Sequence, residues 1–276
     1  MIDSTCLSLG WLTVRGAHPI EHIDAAIAGR FNAVGLRLVP PTPDDPLVSV
    51  VGDESLIREI ETRLQAEGIS VLDVETVWIG PDIDIAALLP AMEVAQRLGS
   101  RNLLTMGNDQ NLERLTENFS RLCDQGARFG LKVGMEFAAY TSVPTVQTAQ
   151  ALVQHAGRAN GCVLVDALHF ARSGGTPEQL KNLGADLLAY CQLADARGPR
   201  PASNDALKVE ARGGRYLPGE GELPLTQLLD AMPQGLPLCV EAPCAATADL
   251  PVVDRGRIAG AATWRFLEAY RRRTLP

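Results

Sequence analysis

The chain alternates short apolar runs with longer amphipathic stretches almost from end to end, and that alternation limits the folds open to it. Strand-like runs are Cys6–Leu9, Ala33–Leu38, Ile69–Glu75, Asn102–Met106, Lys132–Phe137, Cys162–Asp166, Ala189–Leu193 and Leu236–Glu241. Helical periodicity fills Ile20–Gly29, Glu54–Glu67, Ile85–Leu98, Leu112–Phe129, Val146–His155, Pro177–Gly184 and Leu223–Ala231, and a last stretch, Arg255–Arg272, closes the chain. Gly29, Gly68, Gly99 and Gly130 stand where helical periodicity stops, as C-terminal caps do. The strands read as continuous apolar runs, so both faces of the sheet must be covered. Eight βα units in this order specify an α/β fold with a parallel sheet closed into a (β/α)8 barrel, as a single domain over residues 1–276. An open doubly wound nucleotide-binding sheet would carry GxGxxG after its first strand, and none follows Cys6–Leu9.

With 46% hydrophobic residues the chain can bury a large core. Its net charge of −8 repels phosphate backbones, so nucleic acid is not expected as a partner. No apolar run reaches membrane-spanning length, and the N-terminal MIDSTCLSLGWLTVRG lacks the basic region of a signal peptide. Six scattered cysteines without a CxxC pair read as reduced thiols, which points to the cytoplasm. A homo-oligomer is left open.

In a parallel barrel, reactive groups collect where strands end and βα loops begin. The fifth run ends KVGMEF and places Glu136 at that rim; the sixth, CVLVDALH, supplies Asp166 and then His169. The seventh, YCQLAD, carries Gln192 and Asp195, and the eighth, LCVEAPC, carries Glu241. One acid at a strand end is ordinarily solvated or salt-bridged. Four polar groups at matching depth on consecutive apolar strands are costly to bury unless something pairs with them, and one shared cation would satisfy all four. Three carboxylates and one amide oxygen form a hard donor set suited to Mg²⁺, Mn²⁺ or Co²⁺, with one or two positions left for a substrate carbonyl and neighbouring hydroxyl.

In the first half, Arg37 near the end of strand two and Glu75 at the end of strand three are placed to line the pocket, each alternatively half of a structural ion pair. Trp78, just beyond, offers an apolar wall. Asp195 is expected to orient a neighbouring ligand or loop. His18, His22 and His155 are expected at the surface, and the terminal RRRTLP as the solvated end of a helix.

The run of Glu136, the DxxH of Asp166 and His169, Gln192, the PGEG of Pro218–Gly221 and Glu241 resembles the xylose-isomerase-like barrel superfamily. The resemblance spans the chain in architecture, and its specific motifs lie between residues 134 and 243. It implies one divalent metal ion held by Glu136, Asp166, Gln192 and Glu241. Gln192 stands where many relatives carry histidine, which is similar to the hydroxypyruvate isomerase and 3-dehydroshikimate dehydratase branches. The resemblance also implies proton abstraction next to a metal-bound carbonyl, with Glu136 and Glu241 on opposite sides of the substrate and His169 as base or hydrogen-bond partner. An Arg three residues before the Pro-Gly turn contacts substrate in several relatives, which designates Arg215, with Arg212 as competitor; its role is a bidentate grip on a substrate carboxylate or phosphate, or alternatively that of a structural loop arginine.

The expected function is a metal-dependent isomerase or epimerase of a small polyhydroxylated carbonyl compound. The alternative enzyme is a dehydratase of the dehydroshikimate type, and the alternative of another class is a barrel that binds its ligand without turning it over. An endonuclease IV-like role fits poorly with four histidines and an acidic surface.

Overall fold

Residues 6–40 and 47–274 are described in a computed structural model of the protein. The apolar runs form eight strands: β1 (Leu7–Leu9), β2 (Ala33–Arg37), β3 (Ser70–Ile79), β4 (Asn102–Gly107), β5 (Lys132–Glu136), β6 (Gly161–Asp166), β7 (Leu188–Leu193) and β8 (Leu238–Val240). All pair in parallel, in chain order, and β8 returns to β1 with Leu7 opposite Leu238 and Leu9 opposite Val240, so the sheet closes as the sequence predicts. Closure leaves no sheet edge.

Helices α1 (Pro19–Ala28), α2 (Glu54–Glu67), α3 (Leu89–Arg97), α4 (Leu112–Arg128) and α5 (Val146–Ala156) cover the first five units. Their starts are set by side-chain caps, among them Asp53 on the Ser55 and Leu56 amides and Asn111 on the Arg114 amide. The second half is more subdivided, with α6 (Ala167–Arg172), α7 (Pro177–Lys181), α8 (Asn204–Gly213) and α9 (Leu225–Ala231). The long α10 (Val252–Thr274) packs on α1 and seals the ring. That seam admits no side chain at Gly260, where a Cβ would stand 2.0 Å from the Gly29 carbonyl oxygen. No helix among the described residues is long and apolar enough to cross a membrane.

Along each strand every second side chain faces inward. The lower inward layer is apolar, built from residues such as Ala33, Leu104, Cys162, Leu164, Tyr190 and Cys239. One polar contact crosses it: the Tyr190 hydroxyl donates to Asp73 Oδ2. Burial pushes the Asp73 carboxyl up to about 7. The six cysteines are free thiols.

His22 departs from the expected surface position. It is fully buried on α1, and its Nε2 bonds the Leu9 carbonyl oxygen at 2.8 Å, so the neutral ring carries its proton there. The periodicity of α1 sets its inner face by Ile23 and Ala26, and His22 lies on that same side. Burial lowers its pKa from 6.5 to about 4. Between those values the unfolded chain binds the extra proton, so stability falls as pH drops through that window. At pH 5 the loss from this residue is about 2 kcal/mol. Urea midpoints at pH 7 and pH 5 should therefore converge in His22→Gln relative to the wild type; an identical pH response in both would refute the assignment.

Candidate active site

The alternation of inward positions carries Arg37, Glu136, Asp166 and Gln192 to one level at the C-terminal mouth, with Glu241 one residue past β8. Registers fix this layer: Arg37 stands beside Glu75, Met106 beside Glu136, and Asp166 beside Gln192. All the acids are nearly inaccessible to solvent, including Glu136 at 4% exposure and Asp166 at 0%.

Asp166 ends β6 and caps α6, its Oδ1 accepting the His169 backbone N–H at 2.8 Å. This cap is the physical content of the DxxH spacing. Donor atoms of Glu136, Asp166 and His169 lie within 4.8 Å of one another. His169 Nε2 is 3.9 Å from Glu136 Oε1, and the Tyr140 ring meets the imidazole edge-on with centroids 5.6 Å apart. Glu241 and Gln192 form a second group: the Gln192 amide donates to Glu241 Oε2 at 2.6 Å. The remaining oxygens, Gln192 Oε1 and Glu241 Oε1, are buried without a hydrogen-bond partner. The expected four ligands are thus brought to one mouth, but the tight triad contains His169, not Gln192 or Glu241.

Arg215 joins the two groups. It is expected as a substrate contact with a free fork, yet it is 3% exposed and already engaged. Its Nη1 donates to Asp166 Oδ2 at 2.5 Å and to the Glu241 carbonyl at 2.8 Å, and its Nε to the Ala211 carbonyl at 2.8 Å. Its Nη2 approaches His169 Nε2 at 3.5 Å. The guanidinium lines the cleft as a clamp on the acidic cluster. The segment that carries it is tied down at both ends by bridges between Asp195 and Tyr216 and between Gly214 and Cys244.

The electrostatics follow from burial. Glu136 is raised well above the usual carboxylate range by desolvation and by the neighbouring Asp166 and Glu241 charges. Glu241 is raised likewise, by desolvation and then by Glu75. Burial works in the same direction on Asp166, but the Arg215 charge and the cap hydrogen bond outweigh it and hold its pKa low. His169 is lowered to about 4 by desolvation, so it is a neutral imidazole near pH 7. Four buried carboxylates, Glu75, Glu136, Asp166 and Glu241, face two buried guanidiniums, Arg37 and Arg215. The surplus of negative charge, the two orphaned oxygens and the oxygen-rich donor set together fit one hard divalent cation.

On the opposite wall, Arg37 and Glu75 pair at 3.2 Å, each side chain buried. The Trp11 amide donates to Glu75 Oε1 at 3.1 Å, and the Arg37 guanidinium lies 4.1 Å from the Trp11 ring centroid. The two form the ion pair named as the alternative, and Arg37 also lines the cleft. Glu75 does not end its strand, as the sequence suggests, because β3 runs on to Ile79 and takes Trp78 into the strand. Trp78 still lines the cleft, with Leu12, Met106 and Tyr140. Arg212, on the last turn of α8, is exposed at the rim of the same cleft. Asp195 orients a loop and not a ligand: it accepts the amides of Ala196, Gly219 and Leu223 and so shapes the PGEG turn, where a Cβ on Gly221 would meet its Oδ1 at 2.4 Å.

The sequence reading misses Tyr140 and Trp11. Tyr140 sits four residues after Glu136, on the loop just past a site strand, and that position is the signal for it. Trp11 lies two residues past β1, where its amide holds Glu75 and its ring carries Arg37.

The profile of the xylose isomerase-like TIM barrel family matches residues 24–262, and the chain belongs to that family. Among solved structures the fold is similar to a xylose isomerase-like TIM barrel/4-hydroxyphenylpyruvate dioxygenase fusion protein, with a TM-score of 0.80 at 20% identity over 98% of this chain. The chain spans 44% of that fusion protein's length. It is also similar to the IolI protein with a binding zinc atom, with a TM-score of 0.77 at 19% identity over 96% of this chain and 98% of the other. A D-psicose 3-epimerase from Clostridium cellulolyticum H10, solved with D-tagatose, gives a TM-score of 0.72 at 13% identity over 96% and 99% of the two chains. No curated protein matches the chain. At these identities the structural likeness is one of fold.

Proposed function

We propose that the protein is a divalent-metal-dependent isomerase or epimerase of a small polyhydroxylated carbonyl compound, of the sugar or sugar-acid class. The observation that carries this reading is the convergence of Glu136, Asp166, His169 and Glu241 on one buried, oxygen-rich mouth with orphaned acceptor atoms. Membership of a family with epimerase-fold neighbours supports it.

Glu136 and Asp166 would hold the ion with Glu241, and Gln192 Oε1 or His169 would supply a further donor. When bound, the metal supplies Lewis-acid polarisation of the substrate carbonyl. The residues do the proton chemistry. Glu136 and Glu241 sit on β5 and just past β8, three strands apart around the ring, which suits a pair that takes a proton from one side of a carbon and returns one from the other. His169, neutral near pH 7, accepts or donates a hydrogen bond to a substrate hydroxyl through Nε2. Arg215 keeps Asp166 ionised and fixed, and Trp78 and Met106 exclude water from one wall.

The test is exchange in D₂O. Mn²⁺-loaded protein mixed with a panel of hydroxycarbonyl compounds should place deuterium on the carbon next to the carbonyl of its substrate, seen by NMR, with product of unchanged formula. Loss of water from the product would assign the dehydratase alternative. Absence of exchange and of product across the panel would reject both.

A further inference from the structure

We infer that Thr13 is a positioning residue for Glu241: its hydroxyl brackets the backbone on both sides of that glutamate and so holds its carboxylate in the mouth. The inference rests on the metal-site reading above and extends it to a residue outside the ligand set.

Glu241 is placed differently from the other groups of the site. β5, β6 and β7 end at Glu136, Asp166 and Leu193, so Glu136, Asp166 and Gln192 lie within their strands and the sheet ladder sets their depth. β8 ends at Val240, and Glu241 lies one residue beyond it. Thr13, buried on the short turn Trp11–Val14 after β1, supplies the hold that the ladder no longer gives. Its Oγ1 donates to the Val240 carbonyl at 2.7 Å and accepts the Ala242 N–H at 2.9 Å, so one hydroxyl spans residue 241. The Glu241 amide donates to the Leu193 carbonyl at 3.0 Å, and its own carbonyl accepts from Arg215. Val240 and Ala242 are both buried, so loss of the hydroxyl would strand the Ala242 N–H where water does not reach it.

Two further features tie the turn to this task. A Cβ on Gly10 would stand 3.0 Å from the Val240 carbonyl oxygen and 3.3 Å from the Glu241 Cβ, so the chain entering the turn lies directly against the glutamate. From outside the barrel, Arg255 near the start of α10 donates to the Thr13 carbonyl at 2.9 Å and to the Arg15 carbonyl at 3.1 Å. Support therefore runs from α10 through the turn to Glu241. A hydroxyl suits the bracket because it donates and accepts at once; valine has nearly the same shape and does neither. Groups that orient a metal ligand are worth about 10–100-fold in metal affinity.

Titration calorimetry with Mn²⁺, with amide hydrogen exchange followed by NMR in parallel, tests this on the whole chain. Thr13→Val should weaken Mn²⁺ binding about tenfold and lose protection at the Ala242 amide. Thr13→Ser keeps the hydroxyl and should return both to near the wild-type values. Arg255→Met acts only through the backbone of the turn; it should weaken Mn²⁺ binding by a smaller factor, and it stays measurable if Thr13→Val does not fold. Asn160→Ala is the control. It removes two side-chain bonds, each 2.9 Å, to the Cys123 and Leu131 carbonyls just before β6, at the opposite end of the barrel, and should leave Mn²⁺ affinity unchanged. Wild-type affinity in Thr13→Val or in Arg255→Met, failure of serine to restore binding, or an equal weakening in Asn160→Ala would overturn the inference while the metal reading stands. Wild-type protein that binds no Mn²⁺ would overturn the metal reading, and this inference with it.

Discussion

Arg215→Met is expected to lower the stability of the metal-free protein by about 3–5 kcal/mol, the range for removing one partner of a buried ion pair. Arg215 lies among Asp166, Glu136 and Glu241, all within the barrel mouth, and its Nη1 bonds both the Asp166 carboxylate and the Glu241 carbonyl. Without the guanidinium, Asp166 is left charged and buried, and the pKa of Asp166 should rise because the Arg215 charge is a main force holding it down. Arg215→Lys should lose less than Met but more than nothing, since one ammonium does not span three acceptors held in a guanidinium's geometry. Urea unfolding of both variants checks the order. Divalent cation should restore part of the stability of Arg215→Met, because it supplies the missing positive charge. A loss below about 1 kcal/mol in the methionine variant would place Arg215 among ordinary surface-type ion pairs.

Glu136→Gln and Glu241→Gln carry the second large effect. Each change keeps an oxygen donor and removes the proton-carrying group, so metal content should survive while the rate falls by about 10²–10⁴-fold, the usual worth of a positioned acid or base. The two variants should also differ from one another. If the glutamates serve opposite sides of the substrate carbon, each variant retains isotope exchange with the substrate epimer that the remaining glutamate deprotonates and loses it with the other. Stereospecific exchange measured on both epimers reads this directly. Full activity in either variant with full metal content would remove that glutamate from the chemistry.

The barrel was legible because its determinants are local and repeated. Apolar runs and glycine stops recur at each unit, and parallel pairing follows from the helices between them. The site was legible at strand ends for the same reason: inward positions alternate, so an acid at the last inward position of an apolar strand can be read from the strand itself. What escaped the sequence depends on long-range packing. The stretch after Asp195 has no helix assigned from its sequence pattern, yet it contains α8, capped by Ser203 at its start and by Gly214 at its end. Its helix signal is short, and only its packing through Leu207 and Ala211 makes it persist. Arg215 is readable as a residue of the mouth, but its pairing with Asp166 is not, because the two lie 49 residues apart in sequence. The burial of His22 is not legible from the helix pattern, because its acceptor, the Leu9 carbonyl, belongs to a strand end that periodicity does not pair with it. The continuation of β3 through Trp78 passes Glu75 and Thr76, polar residues that a pattern reading takes for the start of a loop.

The most direct test of the account is anomalous diffraction at the manganese edge from crystals grown with Mn²⁺. A single strong peak is expected at the barrel mouth, within coordination distance of carboxylate oxygens of Glu136, Asp166 and Glu241, with Gln192 Oε1 or His169 as a further donor. Absence of a peak there under saturating Mn²⁺, with the Arg215 guanidinium remaining as the sole cation between Asp166 and Glu241, would contradict it.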